Sequence, residues 1–265
     1  MSKFSVLSEI RKEFVSSFLD GGKRIDGRGN YDFRPINVET NVMENAEGSA
    51  LVRMGTTEII AGLKIEIAEP FQSEPDNSIF ITNAELLPLA SKLFEPGPPD
   101  ERSIEFARVV DRGLRSAEVI DLNNNFGLTD GKVLGFFIDL YVLNYGGNLF
   151  DAGTLAASLA LKSAKMPKIE NNELIRGEYS GNLDVHNLPI STRFSKIGNH
   201  IILDPHLDEE MAEDVSLVIN VTDEHVVAMQ KRGTGSFKKS EVLNLVDIAF
   251  EKRKELKKYL EWLKW

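Results

Sequence analysis

Arg108, Arg112 and Arg115 stand at i, i+4 and i+7. On a helix their guanidinium groups fall within roughly 60° of one another around the axis. Guanidinium suits bidentate contact with phosphate and stays charged at any relevant pH. Phe106, Val109, Val110, Gly113 and Ala117 lie on the opposite side. The spacing predicts a helix that buries one face and projects three cations from the other. It equally fits an exposed face whose arginines pair with Glu105, Asp111 or Glu118.

Gly146-Gly147-Asn148 joins a strand pattern to a helix pattern. Small residues there let main-chain N–H groups converge on an anion. No Lys, Arg, Ser or Thr follows, however; the next residues are Leu149, Phe150 and Asp151, and an aspartate repels phosphate. Gly233-Thr-Gly-Ser236, after Lys231-Arg232, is a second glycine loop without the phosphate-loop spacing or its Gly-Lys-Ser/Thr ending. A small-molecule phosphotransferase built on that loop is therefore poorly supported, and both loops fit simple turns.

Asp204, Asp208, Glu209, Glu210, Glu213 and Asp214 form an acidic cluster. It could hold a divalent cation or supply a general acid, and it fits as well the acidic first turn of a short helix. His186, His200, His206 and His225 lack ligand spacing. Cysteine is absent, which excludes thiol catalysis, disulfides and Cys-ligated metal. No serine elbow is present. The expectation is no catalytic residue, no metal and no cofactor.

The elements that must position these residues read as a mixed chain. A helix over 4–19 carries Val6, Ile10, Phe14 and Phe18 and ends at Gly21-Gly22. Three strands fit within 34–68. Phe94 to Asp100 is a loop, with Asp100 capping a helix over about 101–119. A strand at 133–144 and a helix at 152–164 follow. Residues 167–189 are polar and aperiodic and read as a linker or excursion. Beyond them come strands near 191–196, 200–203, 215–221 and 225–231, with a short acidic turn or helix at 207–213. A final helix from 239 to the C-terminus presents Val242, Leu245, Val246, Ala249 and Phe250 on one face. Trp262 and Trp265 at its end read as packing or interface groups. Strands clustered before helices predict an α+β fold in two subdomains.

The 265 residues are 42% apolar and 27% charged, which excludes disordered, collagen-like and disulfide-stapled classes. No apolar run approaches the ~20 residues of a membrane span, and the first ten residues lack an export signal. A cytoplasmic location without membrane contact is expected. Lys plus Arg is 31 against 41 Asp plus Glu, a net charge of −10. That total argues against a general polyanion binder, but phosphates respond to the local field. The placement of the arginines therefore matters more than their number.

Several segments together resemble one family. Arg24-Ile-Asp-Gly-Arg28, Phe33-Arg34, Glu47-Gly-Ser-Ala50 and Gly55-Thr-Thr57 are similar to the opening of RNase PH-type proteins. Within that family, three stretches resemble most the non-catalytic ring subunit of the archaeal exosome: Asn83 to Ala90, Phe94 to Asp100 and Ala107 to Arg115. Leu203-Asp-Pro205 and Val227 to Lys231 fit the same subunit.

The resemblance implies two linked subdomains of ribosomal-S5-second-domain-like β-sheet with packed helices. Residues 1–33 would form an N-terminal helix and arm, 34–167 the first subdomain, 168–190 a linker or excursion, and 191–265 the second subdomain with its C-terminal helix. It also implies a hexameric ring, a trimer of heterodimers, in which this chain alternates with a catalytic RNase PH-type paralogue. RNA-binding cap proteins and single-stranded RNA are the further partners. The ring would degrade RNA from its 3′ end with phosphate as the attacking group.

Catalytic members carry Gly-Gly-Thr-Arg or a close variant at the phosphate loop, where this chain has Gly146-Gly147-Asn148-Leu149. Their acidic residues after Glu-Glu are also missing, since Met211 follows Glu209-Glu210. The expectation is a non-enzymatic subunit, with phosphorolysis by the chain alone as the alternative. The resemblance further assigns Arg108, Arg112 and Arg115 to RNA 3′-end binding.

Overall fold

The computed structural model describes residues 3–261 except 76, 125 and 127. Alternation of buried and half-buried residues builds the first sheet. β1 (Ile36–Thr40), β2 (Gly48–Met54) and β3 (Thr57–Ala68) form an antiparallel meander. β5 (Val133–Asn144) pairs antiparallel with β3. The remaining strand, β4 (Ile79–Leu86), pairs parallel with β5, giving the order β1-β2-β3-β5-β4. β4 is absent from the sequence reading. Its middle, Thr82-Asn-Ala-Glu85, is polar on one face, so no apolar run announces it.

The second sheet has the order β11-β10-β8-β9, all antiparallel. It comprises β8 (Ile190–Ile197), β9 (His200–Leu203), β10 (Val215–Val221) and β11 (Val226–Gly233). Between the sheets lies α3 (Leu149–Lys162), whose residues 150–161 are all buried. A helix apolar on every side belongs in a core, and Ala152, Ala156, Ala157 and Ala160 let it pack against β2, β3 and β8 at once. It begins three residues before the expected start. α2 (Glu101–Ser116) lies over β4 and reaches β11, ending three residues earlier than expected.

Residues 167–189 are not a plain linker. β6 (Lys165–Glu170) and β7 (Glu173–Asn182) form a hairpin there. Its turn is Asn171-Asn172, both with positive φ (51° and 60°), the backbone of a type I′ turn that asparagine tolerates. β7 is largely exposed, and Met166, Ile169 and Leu174 of the hairpin pack against the core without a regular alternation, so hydrophobic alternation could not reveal it.

α1 (Lys3–Asp20) buries a different stripe from the one expected. Val15 and Leu19 are buried against Ile197, Ile202 and Ala212. Phe14 and Phe18 are exposed and meet edge to face at 5.1 Å. The side chains of Val6 and Ile10 lie outside the described residues. So do Trp262 and Trp265, beyond α5 (Lys239–Glu261), where Leu245 and Ala249 are buried and Val242, Val246 and Phe250 pack beside them. Among the described residues no helix is long and apolar enough to cross a membrane.

Candidate functional site

Asp100 starts α2 by accepting the Ser103 N–H at 2.9 Å, which satisfies one of the free donors of the first turn. Phe106, Val109, Val110 and Gly113 are buried, as their spacing predicts, and so is Ala117 just past the helix. Gly113 lets the helix approach β10. A Cβ at that position would stand 3.0 Å from Asn220 Oδ1.

All three arginines are on the exposed side, but they are not equivalent. Arg115 pairs with Asp111 at 3.2 Å, donates to the Phe80 carbonyl and lies over the Phe80 ring. Arg112 donates to Gln230 Oε1 on β11 at 3.0 Å. Among the described residues nothing hydrogen-bonds or ion-pairs Arg108. Glu105 is taken by Arg232 at 3.2 Å. Local pairing thus engages Arg115 and leaves Arg108 open to an external anion.

The Gly146-Gly147 loop meets the acidic cluster rather than solvent. Gly147 has φ +98°, and a Cβ there would come within 2.6 Å of the Pro205 carbonyl. Arg34 donates to the carbonyls of Gly146 and Gly147 at 2.8 and 3.1 Å and to Asp204 at 2.7 Å. Asn148 caps α3 from the left-handed region (φ 52°) and donates its side-chain amide to Asp204 at 2.8 Å. Its main-chain N–H donates to Glu210 Oε2 at 2.7 Å. The anion position at this helix N-terminus is therefore filled by the chain's own carboxylate.

Glu210 belongs to α4 (Leu207–Ala212), capped by His206. Its other oxygen pairs with Arg193 at 2.7 Å, and Arg193, buried on β8, also pairs with Glu213 at 2.6 Å. Burial pushes the Glu210 carboxyl upward; the Arg193 guanidinium outweighs it and holds the group below the ordinary range. Asp204 behaves likewise, with Arg34 overcoming burial. Asp151, one turn into α3, is different. Burial pushes it up to about 6, against hydrogen bonds from Asn148, Arg193 N–H and Ser191.

The acidic cluster is dispersed among separate partners. Asp208 pairs with Arg11 at 3.1 Å, Asp214 with Lys12, and Glu209 with Arg24 at 2.9 Å through Nε. Among the described residues no three metal-ligating side chains converge. The Gly233 loop is a close-packed turn: a Cβ at Gly233 (φ +90°) would stand 2.6 Å from the Asp214 carbonyl. Of the histidines, His200 meets Asp20 at 2.8 Å and His206 is a helix cap.

Arg24, Arg34 and Arg193 were not expected to form a buried network. Nothing in their local spacing signals it, because each carboxylate partner lies on a distant segment: Glu209 is 185 residues from Arg24 and Asp204 is 170 from Arg34.

Residues 32–167 match the 3′ exoribonuclease family, domain 1 (RNase_PH), and residues 187–252 match domain 2 of the same family (RNase_PH_C). The chain is 46% identical to the exosome complex component Rrp42 of Thermococcus gammatolerans, covering 98% of this chain and 97% of that protein. It is 43% identical to the Rrp42 of Methanothermobacter thermautotrophicus, covering 98% of each. Among solved structures, a chain of the Archaeoglobus fulgidus exosome with RNA bound to the active site superposes with a TM-score of 0.89 at 41% identity, covering 96% of this chain and 99% of that one. A chain of an archaeal exosome core gives 0.85 at 38%, covering 97% and 98%.

Proposed function

The chain belongs to the RNase PH family of 3′ exoribonucleases, and we propose that it is the non-catalytic subunit of an archaeal-type exosome, holding RNA for a catalytic neighbour. The observation that carries this reading is the Glu210 carboxylate on the Asn148 N–H at 2.7 Å. Phosphorolysis requires an inorganic phosphate held for attack and charge stabilisation around it. Here that position carries a fixed negative charge, backed by Arg193. A phosphate would have to displace a buried ion pair.

Arg108 and Arg112 are the RNA contacts of this reading, with Arg115 contributing least because it is engaged by Asp111 and Phe80. Guanidinium–phosphate contact positions a strand without reading its bases. In the assembled particle, three copies alternate with three copies of a catalytic RNase PH-type paralogue, RNA-binding cap proteins sit on the ring, and the location is cytoplasmic. The chain divides into subdomains at 34–167 and 191–265, with 168–190 as the excursion between them.

The test is direct. Purified chain is incubated with single-stranded RNA and inorganic phosphate, alone and with the co-expressed paralogue. Nucleoside diphosphates are expected only with the paralogue. Release by this chain alone overturns the reading.

A further inference from the structure

β11 is the outermost strand of the second sheet and lies against α2, so a strand of the second family domain touches a helix of the first. Alternate residues of a strand point to the same face. Gln230 and Arg232, two apart on β11, both reach α2. Gln230 Oε1 accepts from Arg112 at 3.0 Å, and Arg232 pairs with Glu105 at 3.2 Å. Arg232 Nη1 also lies 3.9 Å from Glu210 Oε1, so the guanidinium serves two carboxylates.

Within α2, Arg108 has a carboxylate three residues away on either side, Glu105 and Asp111, at a spacing that permits pairing. Asp111 is taken by Arg115 at 3.2 Å, and Glu105 by Arg232. Glu85 and Asp139 line the same hollow as Arg108, but among the described residues neither forms an ion pair with it, and Asp139 accepts from Asn83 at 3.1 Å. Arg112, four residues on, is held by Gln230, a neutral acceptor that leaves its charge uncompensated. The strand beside the helix therefore decides how much free positive charge α2 presents. Arg232 and Glu105 are both half-buried, and a pair so placed adds little to stability.

We propose that Arg232 is a positioning residue for RNA: by holding Glu105 it keeps that carboxylate off Arg108 and leaves the Arg108 guanidinium open to a phosphate of the strand. Without Arg232, Glu105 closes on Arg108 across one turn of the helix and neutralises it. Gln230 acts on Arg112 in the same sense, fixing the group through a neutral oxygen where a carboxylate would cancel its charge. The inference deepens the function proposed above and rests on it, since it concerns how the α2 face is kept ready to hold RNA.

Binding of single-stranded RNA to the ring assembled with the co-expressed RNase PH-type paralogue, measured without phosphate, tests it. Arg232→Ala should weaken binding about threefold and flatten the dependence of log K on log salt by up to about 0.7, the slope of one single-strand phosphate contact. Adding Glu105→Gln should restore both, because a neutral side chain no longer competes for Arg108. Adding Glu118→Gln, which restores the same net charge at an exposed site beyond α2, should not. Arg232→Lys keeps a cation on Glu105 and should recover most of the loss. Three results overturn the proposal: an Arg232→Ala ring that binds as the parent does, one that Glu105→Gln fails to restore, or one that Glu118→Gln restores as fully. If Arg108→Glu still weakens binding in such a case, the functional reading stands. Unchanged binding by Arg108→Glu overturns the RNA role of Arg108 and the proposal together.

Discussion

The main-chain N–H of Asn148 and the carboxylate of Glu210 lie 2.7 Å apart, joining the first turn of α3 to α4 across 62 residues of sequence. The contact puts negative charge where the positive end of α3 most favours it. Arg193 on the far side of the carboxylate keeps it ionised. One interaction therefore stabilises the helix and locks α4 against the loop.

Glu210→Ala should cost stability heavily, because it strips Arg193 of one buried partner and leaves the Asn148 N–H without an acceptor. Breaking a buried pair costs about 3–5 kcal/mol. Since Glu213 still holds Arg193, a loss near 3 kcal/mol in urea unfolding is expected. A loss under about 1 kcal/mol would show that the pair is not formed.

Charge reversal should separate the three arginines of α2. In the assembled ring, Arg108→Glu and Arg112→Glu should weaken RNA binding and each flatten the dependence of log K on log salt by about 0.7, the slope of one single-strand phosphate contact. Arg115→Glu should leave that slope nearly unchanged and destabilise the chain by about 1 kcal/mol, since it disrupts the Asp111 pair and the Phe80 contact. Equal slopes for all three variants and the parent would remove the α2 face from RNA binding.

Asp151 should leave a pH signature. Its folded carboxyl titrates at about 6, against an ordinary value near 3.9. The folded state thus holds a proton that the unfolded state gives up between about pH 4 and 6. Stability must fall as pH rises through that window, by roughly 3 kcal/mol in all. Subtracting the pH profile of Asp151→Asn isolates this contribution from Asp204 and Glu210, whose lowered values act in the opposite direction. A difference profile that rises with pH would contradict the assignment.

Gly147→Ala should destabilise by more than about 2 kcal/mol. The residue sits at φ +98°, and an added methyl would meet the Pro205 carbonyl and the Leu207 nitrogen at 2.6 and 2.7 Å. Both obstacles are main chain and cannot swing aside. Thermal melting compared with Gly131→Ala, also at positive φ (70°) but in open space, separates the clash from the backbone term.

Helical periodicity made α2 legible. Phe106, Val109, Val110 and Gly113 had to face inward and the arginines outward, because 3.6 residues per turn leaves no other arrangement. The strands at 36–68 and 133–144 were legible through alternation. The stripe on α1 was misread because Phe14 and Phe18 repeat as regularly as Val15 and Leu19, and only the partner surface chooses between them. β4 and the β6–β7 hairpin escaped because neither carries a continuous apolar face, although Asn171-Asn172 was an available turn signal.

The residues of the chain by themselves determined the absence of cysteine chemistry, the α+β class and the presentation of Arg108, Arg112 and Arg115 on one face, since composition and local periodicity suffice for each. Tertiary structure decided which of those arginines is left open, that the acidic cluster separates onto Arg11, Lys12, Arg24, Arg34 and Arg193, and that the Glu210 carboxylate meets the Asn148 N–H. Those outcomes depend on contacts between segments up to 202 residues apart, and long-range pairing of charge leaves no mark on local spacing.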